Sequence, residues 1–100
     1  MAEYQNHVPL DATPEEIKEM RVYGALSELA ERMGRYAKDR PVEDYTLRKI
    51  HEAGEAMSLG IEAQLTALVC LTICARRETE SIPDWPEYRN AMHTLDIYPD

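Results

Sequence analysis

Four glutamates stand as two spaced pairs, Glu28-x-x-Glu31 and Glu52-x-x-Glu55. Carboxylates three residues apart share one side of a helix. A pair from each of two neighbouring helices would give the oxygen-rich shell that Mg²⁺ requires. His51 and Glu55, four apart, make half of a metal site at best. The Glu-x-x-His motif of a bundle di-metal centre is missing, because the residue three before His51 is Arg48. His7 and His93 are remote in sequence. Cys70 and Cys74 fall on one helix face, too far apart for an easy bridge. With no second cysteine pair they do not make a zinc site, and they read as small buried side chains in a reducing compartment. No Gly-rich phosphate loop, Ser/His/Asp set or Cys/His arrangement is visible. The expectation is a chain without catalytic residues, metal or cofactor.

The two acidic pairs nevertheless resemble the motifs of the MazG-like nucleotide pyrophosphohydrolases. Those all-α enzymes carry ExxE followed by ExxD on neighbouring helices to hold Mg²⁺. The resemblance spans about 28 residues of this sequence, with Glu55 where the family has Asp. It implies a Mg²⁺-dependent enzyme with Glu28, Glu31, Glu52 and Glu55 as ligands. Periodicity argues otherwise: with Leu26, Leu29, Ala30 and Met33 inward, Glu28 and Glu31 project outward, and Glu55 lies well away from the Ala53/Met57 stripe.

The charge is unevenly spread. The chain has a net charge of -8, yet Arg32, Arg35, Lys38, Arg40, Arg48 and Lys49 form a basic island between acidic flanks. The overall sign disfavours binding to duplex DNA. The island, with Tyr36 and Tyr45 beside it, could hold a nucleotide or another small phosphorylated ligand, cations on phosphate and tyrosine on base. It could equally serve the negative end of a helix dipole. Aromatic usage is skewed, with no Phe, one Trp and six Tyr. Tyrosine suits half-wet binding surfaces and also the rim of a small core.

These residues need elements to carry them. Residues 1–12 read as an extended arm. Thr13-Pro14-Glu15-Glu16 is a helix start with a capping box and proline at the first position. Ile17, Met20, Tyr23, Leu26, Leu29, Ala30, Met33, Tyr36 and Ala37 then mark an apolar stripe to about residue 38. Asp39-Arg40-Pro41 breaks it. A second helix is predicted over about 41–78, with its stripe at Ile50, Ala53, Met57, Ile61, Gln64, Leu68, Leu71 and Ala75. Gly54 and Gly60 are its likeliest kinks. Ser81-Ile82-Pro83 ends it. Asp84-Trp85-Pro86-Glu87 begins a short third helix, also with a capping box, over about 85–95; residues 96–100 form a tail. The prediction is one all-α domain, an antiparallel helical hairpin with a short third helix folded back, able to assemble as a helical-bundle oligomer.

Residues 64–75 (QLTALVCLTICA) carry no formal charge in a chain that is 30% charged. The run is too short to span a bilayer, and the N-terminus lacks a secretory pattern, so a cytoplasmic protein is expected. Gln64, Leu68, Leu71 and Ala75 face the first helix, while Leu65, Val69 and Ile73 form a second face that something else must cover. Those three, with Trp85 and Tyr88, are the candidate self- or partner interface. The leading expectation is a small acidic helical interaction protein, a regulator or inhibitor that docks on another protein, in the style of anti-defence inhibitors of phages and mobile elements. The same face predicts a homo-oligomer, detectable by light scattering and weakened by Leu65→Glu or Val69→Glu.

Overall fold

A computed structural model describes residues 11–98, which form four helices and no strand. They are α1 (Pro14–Asp39), α2 (Asp44–Ala56), α3 (Ile61–Thr79) and α4 (Pro86–Ile97). The predicted arm lies outside the described residues except at residues 11 and 12. The predicted tail is shortened, since α4 runs on to Ile97.

α1 starts as its sequence dictates. Thr13 Oγ1 accepts from Glu16 N at 3.1 Å, and Thr13 N donates to Glu16 Oε1 at 2.8 Å. This reciprocal pair satisfies two donors that the helix itself cannot. Its 26 residues should span about 39 Å at 1.5 Å per residue, matching a longest dimension of 44 Å. The buried face is Val22, Ala25, Leu26, Leu29 and Met33. Met20 and Tyr23, expected in that stripe, are exposed instead. Each step of three residues falls about 60° short of a full turn. The series Ile17, Met20, Tyr23, Leu26 therefore winds around the helix, and Val22, four before Leu26, holds the core position.

The predicted 41–78 helix is two helices. The chain leaves α2 through tightened bonds: Ser58 N donates to Glu55 O at 3.3 Å and Leu59 N to Ala56 O at 3.0 Å. It re-enters a helix after Gly60, whose ψ of 175° is extended. The Gln64 amide reaches back, donating to Met57 O at 3.3 Å and Leu59 O at 3.2 Å. Gln64 is buried, and its amide satisfies carbonyls of the turn that joins α2 to α3. The expected kink is thus a full turn, and α2 folds back against α3.

α1 and α3 form the centre of the bundle. α2 and α4 each pack against both of them and do not touch one another. Leu26, Leu29, Met33, Leu68 and Leu71 are completely buried, and burying each such side chain stabilises the fold by roughly 1.5–3 kcal/mol. α3 ends at Glu80, whose φ of 57° is left-handed, a conformation in which glycine is usual. The predicted capping box of α4 does not form: Trp85 is the N-cap without a side-chain bond, and the Asp84 carboxylate instead accepts from Arg89. No described helix is long and apolar enough to cross a membrane.

The two thiols are not equivalent. Cys74 is fully buried, and burial pushes its pKa above the ordinary range, while Cys70 is half-buried on the hollow between α2 and α3. Iodoacetamide is expected to alkylate Cys70 in the folded protein and to reach Cys74 only when urea is added, read as one and then two adducts by mass spectrometry.

Candidate functional site

The basic island converges at one end of the bundle, but much of its charge is placed against the chain's own aromatic rings. The Tyr36 and Trp85 rings lie 5.5 Å apart and tilted. The Arg40 guanidinium sits 4.3 Å from the centre of Tyr36, and that of Arg32 sits 4.2 Å from the centre of Trp85. The four side chains form a ladder across the tip. Tyr45 is approached by Arg48 at 5.6 Å, Lys49 at 5.2 Å and Arg77 at 5.5 Å. Arg35 lies between Glu31 at 3.7 Å and Glu87 at 3.6 Å. Lys49 also bonds Glu52 at 3.0 Å, which holds its ammonium above the ordinary lysine range. Each such cation–ring contact contributes about 0.5–1 kcal/mol at an exposed site. The Tyr36 and Tyr45 rings on which a nucleobase would stack thus already carry cations of the chain itself.

Glu78 ties the tip together. Its Oε2 accepts from the Thr46 hydroxyl and, at 3.1 Å, from Glu43 N at the start of α2; its backbone carbonyl accepts from Tyr36 Oη at 3.2 Å. A carboxylate there also suits the positive end of the α2 dipole. Arg77 bonds Glu43 at 2.9 Å, closing α3 onto α2 a second time. Sequence reading treated Glu78 only as the end of a long helix. Nothing local marked it, because its partners are 32 to 42 residues away.

The four motif glutamates do not converge. Glu28 borders a hollow between α1 and α4 that Asn90 and Thr94 also line, and Glu31 extends toward Arg35. Glu52 and Glu55 border the separate hollow between α2 and α3. Among the described residues no cluster of three or more His, Cys, Asp or Glu side chains could hold a metal ion. The His51–Glu55 pair, at 3.5 Å, is exposed on the outside of α2.

The second face of α3 is largely owned by the chain itself. Leu65 is 3% exposed and Tyr88 is 3% exposed, so both belong to the interior rather than to an interface. Trp85 is half-buried and packed on the core. Of the five residues assigned to that surface, only Val69 and Ile73 stand exposed. α4 packs on α3 and brings Tyr88 into the core, while α2 covers the flank of α3 that Ala63, Ala67 and Cys70 line.

An apolar opening lies elsewhere, at the end of the bundle away from the basic tip. A groove of about 520 Å³ runs between α1 and the α2–α3 turn, lined by Met20, Tyr23, Gly24, Leu59, Ile61 and Gln64, with Glu19 at its edge. Met20, Tyr23 and Leu59 are 45%, 48% and 59% exposed. A Cβ at Gly24 or Gly60 would meet no atom within 4 Å, so there is room directly above the backbone. Sequence reading missed this site, having placed Met20, Tyr23 and Ile61 in core stripes.

No protein-family model matches the chain, and no curated protein or solved structure is detectably similar to it. What the fold and its surfaces define is a four-helix all-α domain with an open apolar groove at one end and, at the other, a basic tip whose cations lie against the chain's own rings.

Proposed function

We propose that this protein is a helical docking module, a regulator or inhibitor that acts by occupying another protein. The observation that carries this reading is the grouping of Met20, Tyr23 and Leu59, three large half-exposed apolar side chains, around one groove. Single exposed apolar residues are ordinary, but their concentration around a concave opening is the usual mark of a binding surface. Tyrosine and methionine suit such a surface, one as an amphipathic anchor and the other as an adaptable contact. The other arrangements offer less. The tip cations already lie over the rings that a nucleotide would use, and the acidic pairs point to separate surfaces.

The test is affinity capture from a host lysate, run in parallel with wild type and Leu59→Glu. Residue 59 is exposed in a turn, so the charge is expected to change stability by less than about 0.5 kcal/mol. A docking module retains a defined protein with wild type and loses it with the variant. Identical recoveries from both would remove the groove from the account.

A further inference from the structure

The groove has a charged rim of one sign. Glu19 belongs both to the apolar groove and to a hollow of about 450 Å³ that continues it toward the start of α1, lined by Asp11, Ala12, Glu16 and Met20. Among the described residues no lysine or arginine lines either one. Of the two bases in this part of α1, Lys18 lies over the Tyr98 ring at 5.8 Å, and Arg21 lines the hollow toward α4, which adjoins the groove at Met20 and Gly24. Among the described residues no cation pairs with Asp11, Glu16 or Glu19. Glu16 gives one oxygen to its capping bond, while the Glu19 carboxylate accepts no hydrogen bond from those residues. An apolar floor whose own charged lining residues are carboxylates selects a partner of the opposite pattern.

Resting on the docking reading above, we infer that the groove receives a basic amphipathic segment of a partner protein. Its apolar side chains enter between Met20, Tyr23 and Leu59, and its lysines or arginines run along Glu19, Glu16 and Asp11. Apolar contact provides the grip, and the rim decides which apolar segments are accepted.

The experiment titrates the ¹⁵N-labelled full chain with two synthetic amphipathic peptides of the same helical spacing, one of Leu and Lys and one of Leu and Glu. The Leu/Lys peptide is expected to shift the amides of residues 20–24 and 59–64. Glu19→Lys should weaken it roughly tenfold, and added salt should weaken it further. Gly24→Leu should abolish the shifts by filling the floor; it replaces a mid-helix glycine with a better helix former, so the variant is expected to fold. Equal binding of both peptides at these residues would overturn the basic specificity and leave the docking reading standing. Shifts scattered over other acidic surfaces and unchanged in Gly24→Leu would overturn the assignment to this groove. Silence of the groove amides toward both peptides would overturn the inference and the docking reading together.

Discussion

Leu65→Glu is expected to unfold the domain, whereas Val69→Glu, one turn away on the same helix, leaves it folded. Sequence reading puts both on one face and expects both to weaken self-association. In the structure Leu65 is 3% exposed and Val69 is 40% exposed. A carboxylate at residue 65 would lose its hydration without gaining a partner and would displace a buried leucine, a cost of about 4 kcal/mol or more. That is a large share of the roughly 5–15 kcal/mol by which small domains are stable. Urea denaturation followed by circular dichroism should show no cooperative transition, or one at a much lower midpoint, for Leu65→Glu. Val69→Glu should stay within about 0.5 kcal/mol of wild type. Only Val69→Glu can therefore report on self-association by light scattering. A stable, folded Leu65→Glu would mean that this flank of α3 is open.

The second large effect belongs to Glu78. Glu78→Ala removes the acceptor of the Thr46 hydroxyl and of Glu43 N. Thr46 is 2% exposed, so its hydroxyl would lose its carboxylate acceptor in a buried setting, with only the weakly accepting Cys74 sulfur beside it. Leaving such a group unsatisfied costs about 1–3 kcal/mol, and the start of α2 also loses its nearby negative charge. A loss of about 2 kcal/mol is expected, seen as a fall of roughly 10 °C in Tm for a domain of this size. Glu78→Gln keeps a carbonyl acceptor and should lose less than half as much. The double variant with Thr46→Val should fall short of the sum of the single effects, because both remove the same bond. Strict additivity would show that Glu78 and Thr46 do not interact.

What was legible in the sequence follows from how local each signal is. The capping box at Thr13 and Glu16, the break before Pro41 and the start of the last helix near Pro86 all depend on residues within one turn. All three appear in the structure. The candidate groove was not legible, because its walls come from residues 19–24 and 59–64, and only a fold-back brings them together. Gln64 shows the difference. Among apolar neighbours it looked like a tolerated polar residue in a core stripe. In the structure its amide holds the carbonyls of Met57 and Leu59, and so holds the turn that shapes the groove.

The charge-free stretch at residues 64–75 marks the boundary most clearly. Its composition determined that it must be hidden and is too short for a bilayer, and the spacing of its apolar residues that it would be helical. Which faces would be hidden was decided by the tertiary structure. The break at residues 57–60 turned one long helix into two, and the detached α2 became the cover for a flank of α3. Val69 and Ile73 stand outside, Leu65 and Tyr88 inside, and the open apolar surface lies at the opposite end from the basic tip. The physical reason is that hydrophobic periodicity specifies a direction around each helix axis, whereas what lies in that direction depends on where the chain turns back.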